Sequence, residues 1–268
     1  MLLGKGLPNL GNTCYINSII QCLRYSKPLV YLLKQYNGSS DSTLISSLIE
    51  LFYVDTHSSY LHNLIKALNT TKEFKPLRQC DAHELFLYLT DHLFTSLKDY
   101  TNPFTGNLES TVTCSKCTST STTKYPYASI SVHIPTIQCS VDNLLTEFCG
   151  TELLEDEIDC DKCKLRTKSS KELKIIPGKL VAIHLKRFDG IQKIYTEIEI
   201  EERIKINNID YMLYATCNHS GNQFGGHYTA SCMKSDGTWR LLNDNTIGDL
   251  CELPKKSDKP YILFYVKV

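Results

Sequence analysis

The sequence predicts an α+β fold in which a helical lobe precedes a strand-rich one. Up to about Tyr100 the apolar residues recur every three to four positions, the period of a helix with one buried face. From Leu108 onward they tend to alternate, the period of a half-buried strand, with turn signals such as Pro177-Gly178 and Asp236-Gly237 between runs.

Asn12 and Thr13 are capping residue types, and Ile16, Ile19, Ile20 and Leu23 then follow with helical spacing, so a first helix opens near Cys14. Leu44, Leu48, Leu51 and Phe52 predict a second helix over 43–54, and Leu61, Leu64, Ile65 and Leu68 a third. A fourth runs from Ala82 past Leu85, Leu89, Leu93 and Leu97, with Asp81 and Glu84 spaced as a capping box. Ser129 to Ile134 alternates strictly. Val141 to Cys149 reads as an inserted helix with Ser140 as its cap and Gly150 at its exit. Strands are expected over Leu180–Phe188, Tyr211–Thr216, Tyr228–Met233, Thr238–Leu242 and Tyr261–Val266, with Asp236-Gly237 as a hairpin turn. Ser39–Ser42 and Thr118–Thr123 read as polar loops.

Lysine plus arginine and aspartate plus glutamate both number 29, so the charge balance points to neither nucleic acid nor a membrane surface. No stretch approaches the roughly 20 apolar residues of a membrane span, and Met1 to Gly11 lacks the pattern of a signal peptide. Twelve cysteines without that pattern imply reduced thiols, metal ligation and catalysis in a reducing compartment, cytoplasmic or nuclear.

Cys14 falls in the first turn of its helix, where the positive end of the dipole favours a thiolate. His227 follows Gly225-Gly226, glycines that let a substrate chain come close, and Asn243-Asp244 lies beyond. A thiol, an imidazole and a group able to orient it are the parts of a cysteine hydrolase. Asn243 is the first choice for the orienter and Asp244 the second, accepting from Nδ1–H so that Nε2 faces the thiol. Cys114-Ser115-Lys116-Cys117 and Cys160-Asp161-Lys162-Cys163 are two Cys-x-x-Cys pairs whose four sulfurs suit one closed, structural zinc site.

The run Gly6-Leu7-Pro8-Asn9-Leu10-Gly11-Asn12-Thr13-Cys14-Tyr15-Ile16-Asn17-Ser18 closely resembles the Cys box of the ubiquitin-specific proteases, a papain-like family of deubiquitinating enzymes. Gly226-His227-Tyr228 resembles its His box, and Trp239 to Asp244 its closing motif. Arg78 to Leu85 resembles its Gln-Gln-Asp-Ala-Gln-Glu box, with Cys80 and His83 in place of glutamines. The resemblance implies one papain-like catalytic domain over 1–268: a helical thumb (about 1–103), zinc-bearing fingers (104–176) and a β-rich palm (177–268). It implies that Cys14 is the nucleophile, that Asn9 donates to the oxyanion, and that His227 is the general base. It also implies that Asp81, with Glu84, faces the basic tail of ubiquitin, and that Gly225 and Gly226 narrow the approach to a Gly-Gly tail. The expected protein is a monomeric thiol-dependent deubiquitinase acting on ubiquitin and ubiquitinated proteins. Its alternatives are a protease for another ubiquitin-like modifier or a silent ubiquitin-binding module.

Overall fold

A computed structural model of the chain describes residues 5–36, 42–53, 58–75, 78–190, 192–222 and 224–268. Helices α1 (Cys14–Arg24), α2 (Lys27–Gln35), α3 (Thr43–Tyr53), α4 (Ser58–Leu68) and α5 (Ala82–Ser96) form the first lobe. Of the expected second helix, Val54 lies outside the described residues, as do residues 39–41 of the expected polar loop. Helix α2 was not expected; Ser26 caps it by accepting from Leu29 N–H, and Pro28 sits in its first turn, where a missing N–H costs nothing.

Counting strands of at least four described residues, the chain continues with β1 (Gly106–Cys114), β2 (Thr120–Tyr127) and β3 (Ile130–His133), then helix α6 (Val141–Cys149). Next come β4 (Ser169–Ile176), β5 (Leu180–Lys186), β6 (Arg203–Ile206) and β7 (Ile209–Asn222). The last are β8 (Gly225–Met233), β9 (Trp239–Asn243), β10 (Thr246–Leu250) and β11 (Pro260–Lys267). Helix α6 carries the expected cap and exit, with a full capping box between Ser140 and Asn143. The expected polar loop at Thr118–Thr123 is corrected: from Thr120 it is strand β2, paired along its length with β1. Its residues are almost all exposed, so no apolar alternation marked it.

The main sheet runs β10-β9-β8-β7-β11-β5-β3, with β6 hydrogen-bonded to β7. Its central strands read as continuous apolar runs because both faces are covered. In β11, Ile262 and Phe264 join the core shared with the helices, while Leu263 and Tyr265 join a second core beneath α6. In β5, Leu180 and Ala182 face the first core, Val181 and Ile183 the second. A smaller sheet, β2-β1-β4 with the two-residue strand Glu152–Leu153, projects from this body.

Helix α1 lies between the sheet and the other helices, every residue from Cys14 to Arg24 buried. Its polar side chains are tied down locally. Asn17 Nδ2 donates to the carbonyls of Leu7 and Pro8, and Gln21 Nε2 to that of Lys5, which seats the incoming segment against the helix.

Candidate active site and metal centre

Gly11 (φ 98°) and Asn12 (φ 55°) both take left-handed backbone, and this sharp turn delivers Cys14 to the first position of α1. Cys14 is 3% exposed. Gln79, in the segment leading into α5, holds its Nε2 3.5 Å from Cys14 Sγ and 2.6 Å from the carbonyl oxygen of Gly226. Its Oε1 accepts from Gly226 N–H at 3.1 Å. The thiol on α1 and the residue preceding His227 on β8 are therefore joined through one side chain. Sequence reasoning gave Gln79 no role, although the resemblance of Arg78 to Leu85 to the Gln-Gln-Asp-Ala-Gln-Glu box, in which Gln79 keeps a glutamine, was an available signal.

His227 Nε2 lies 2.6 Å from Asn243 Oδ1. This corrects the expected ring assignment: Nε2, not Nδ1, takes the orienting amide, and Nδ1 is the ring nitrogen left over. Asn243, not Asp244, meets the imidazole. Asp244 turns away because it leaves β9 in left-handed backbone (φ 49°), and its carboxylate gathers the segment that carries Cys14. Oδ1 accepts from Asn17 Nδ2 at 2.8 Å and Oδ2 from Asn9 Nδ2 at 2.9 Å, while the Asp244 carbonyl accepts from Leu7 N–H at 3.0 Å. Asn9 Oδ1 in turn accepts from the backbone N–H groups of Gly11 and Thr13 at 3.1 and 3.3 Å. One amide hydrogen of Asn9 is committed to Asp244, and the side chain carries a second.

Asp81 caps α5, accepting from the N–H groups of His83 and Glu84 through Oδ1. Its Oδ2 accepts from Tyr261 O–H on β11. Burial, with Asp81 next, pushes the Tyr261 phenol far above its ordinary range, so it stays a donor. Asp81 is half-buried, and Glu84, in the first turn of α5, is exposed. A groove of about 390 Å³ opens here, lined by Gln79, Asp81, Phe188, His219, Phe224 and Tyr228. Phe224, 89% exposed, stands at its mouth.

Gly225 has open space where a side chain would begin, whereas a Cβ on Gly226 would lie 2.1 Å from His219 Nε2. Gly226 is thus required by its packing against His219, and Gly225 is open to whatever enters the groove. Burial, then Lys193, holds the His219 imidazole down to about 4, so it packs as a neutral ring. Lys193 Nζ donates to the His219 carbonyl at 2.7 Å.

At the end of β1, Cys114 and Cys117 meet Cys160 and Cys163, which lie between the paired two-residue strands Ile158–Asp159 and Arg166–Thr167, and the four sulfurs lie within 4.8 Å of one another. The two pairs share one backbone design. Thr118 N–H donates to the Cys114 carbonyl at 2.9 Å, and Lys164 N–H to that of Cys160 at 2.8 Å. Cys114 N–H donates to Ser119 O and Cys160 N–H to Leu165 O, each at 3.0 Å. Thr118 and Lys164 both have φ 56°, which turns each loop back on itself. Sulfurs about 2.3 Å from a tetrahedral ion stand roughly 3.8 Å apart; Cys114–Cys163 and Cys117–Cys160 measure 3.9 and 3.5 Å. The residues fit one metal ion. Backbone N–H of Cys163, then the Ser119 hydroxyl, hold the Cys160 thiol down to about 5, while desolvation and then Cys160 push Cys163 up to about 11.

Comparison with known proteins adds four matches. A family model described as ubiquitin carboxyl-terminal hydrolase matches residues 5–265. The chain is 31% identical to ubiquitin carboxyl-terminal hydrolase Usp2 of Drosophila melanogaster, over 97% of this chain and 34% of that protein. It is 28% identical to ubiquitin carboxyl-terminal hydrolase 23 of Arabidopsis thaliana, over 99% of this chain and 36% of that protein. It spans about a third of the length of these relatives. Its fold matches that in the SAGA Ubp8/Sgf11/Sus1/Sgf73 DUB module bound to ubiquitin aldehyde, with a TM-score of 0.88 at 23% identity, covering 99% of this chain and 70% of that one.

Proposed function

The chain belongs to the ubiquitin carboxyl-terminal hydrolase family, and from that premise we propose that it is a cysteine deubiquitinase with Cys14, His227 and Asn243 as its working groups. The observation that carries this reading is the cleft in which Gln79 links the Cys14 sulfur to the strand bearing an Asn243-oriented imidazole. His227 takes the thiol proton through Nδ1 while Asn243 fixes the ring from Nε2. The thiolate attacks the carbonyl of the terminal glycine of ubiquitin. The second amide hydrogen of Asn9 and nearby backbone N–H groups receive the oxyanion, a contribution typically worth about 2.7–4 kcal/mol. Collapse of the tetrahedral intermediate expels the lysine amine, protonated by His227, and leaves a thioester. Water activated by the same imidazole then hydrolyses it.

Asp81 and Glu84 supply carboxylates for the basic tail of ubiquitin, and Gly225 leaves room beside it. The four cysteines would hold a structural zinc ion: four clustered sulfur ligands leave no open position for a reacting group. Twelve free cysteines support work in a reducing compartment, cytoplasmic or nuclear.

The test is a ubiquitin probe with an electrophilic C-terminus. A covalent adduct mapped to Cys14 is expected, and Cys14→Ala should bind ubiquitin without hydrolysing it. Binding without adduct formation would indicate a silent module, and reaction with another modifier's probe in place of ubiquitin's would reassign the substrate.

A further inference from the structure

We propose that Gln79 is a built-in placeholder for the substrate's extended tail, occupying the strand edge on which that tail pairs and covering the nucleophile until it arrives. The proposal rests on the deubiquitinase reading for the identity of the tail; the clasp itself stands on geometry alone.

Strand β8 pairs with β7 from Gly225 to Cys232, but with β9 only from Ala230 to Met233. Residues 225–229 therefore have no β9 partner on the side facing the cleft. At Gly226 that edge is satisfied by a side chain. Its N–H donates to Gln79 Oε1 at 3.1 Å, and its carbonyl accepts from Gln79 Nε2 at 2.6 Å. A mutual exchange of N–H and C=O is what a hydrogen-bonded residue pair makes across an antiparallel ladder. The carboxamide of Gln79 carries the same donor and acceptor as a peptide group, so it stands in for one residue of an incoming strand.

Two further observations agree. The same Nε2 lies 3.5 Å from Cys14 Sγ, and Cys14 is 3% exposed, so a substrate carbonyl reaches the sulfur only after the amide moves. Gly226 is also confined to a bare backbone, since a Cβ there would strike His219. The backbone of the Gln79 segment is anchored immediately downstream, where Asp81 caps α5 and accepts from Tyr261, so release needs only side-chain rotation. An extended tail laid along the edge remakes both bonds to Gly226. The exchange is nearly neutral in hydrogen bonds, and the tail is led past Cys14.

The experiment measures alkylation of Cys14 by iodoacetamide in the absence of ubiquitin, with modification at each cysteine quantified by peptide mass spectrometry. It is run at pH 9.5, above the ordinary thiol range, so that ionisation does not limit the rate. Gln79→Ala, and Gln79→Asn, whose shorter amide fails to span the cleft, should each react several-fold faster at Cys14 than the unsubstituted enzyme, with unchanged thermal midpoints. An equal or slower rate in both folded variants overturns the proposal. The ubiquitin-probe reaction is followed in parallel: failure of the unsubstituted enzyme to react with it refutes the deubiquitinase reading, while the iodoacetamide rates still decide the clasp.

Discussion

Neighbouring side chains at the end of a strand point in opposite directions, and here that separates two jobs. Asn243, the last residue of β9, reaches His227, and Asp244 one step later takes up the amides of Asn9 and Asn17. Asn243→Ala should therefore cut kcat on a fluorogenic ubiquitin substrate by roughly 100-fold or more while leaving the thermal midpoint nearly unchanged. Asp244→Ala should do more damage to the fold: it removes a charged acceptor from the amides of Asn9 and Asn17, the second of which keeps the Leu7 and Pro8 carbonyls, at a cost of about 1–3 kcal/mol, read by denaturant unfolding. The adjacency of the two residues left their roles open in the sequence. What resolves them is the left-handed turn at Asp244, a backbone property that the letters Asn-Asp only permit. The ring nitrogen facing Asn243 was equally hidden, because it depends on how β8 and β9 approach each other. By contrast, Cys14 and His227 stood out through the long motif around one and the glycines beside the other.

Among the elements, α5 and β5 meet through a pair of imidazoles. The rings of His83 and His184 stack at 3.9 Å, His83 Nε2 contacts the Ser129 hydroxyl at 2.6 Å, and His184 Nδ1 contacts that of Ser131 at 3.0 Å. Asp81, Lys186 and the Tyr261 ring complete the surroundings. Burial, followed by His83 and Lys186, holds His184 down to about 3. Unfolding returns an imidazole to near 6.5, so below that pH the unfolded chain binds protons that the folded chain refuses. The stability tied to His184 is fully present above pH 6.5 and declines as pH falls toward 3. The thermal midpoint should drop between pH 7 and 4, and more shallowly in His184→Asn; parallel slopes would remove His184 from the explanation. The stacking of His83 on His184 was not legible, since it joins residues about a hundred positions apart. The helices themselves were, wherever an apolar stripe was long. Helix α2 escaped because its nine residues give little room for periodicity, although Ser26 and Pro28 were a usable start signal. Strand β7 runs to Asn222, beyond the expected Thr216, because its later residues pair with β8 while several face water and carry no apolar alternation.

Across the whole molecule, the metal centre and the cleft occupy different sheets, and their failures should be separable. Chelation, or Cys160→Ser, should release the proposed zinc and weaken ubiquitin binding by loosening β1, β2 and β4. Alkylation of Cys14 by a small electrophile should persist, as metal analysis and peptide mapping on the same sample will record. The four-cysteine cluster was plain from its spacing, whereas the sheet order was not, because strand neighbours follow from which faces must be covered. Strand β11 lies between β7 and β5, joined to both, although it follows them in the chain. It also carries Tyr261, which secures Asp81 at the threshold of α5. During translation Cys14 emerges before β11, and the wall opposite it stays in two unjoined halves until β11 slides into the gap. A ribosome-bound intermediate therefore has a sulfur without a finished cleft, and the cleft is completed only by the segment that closes the sheet.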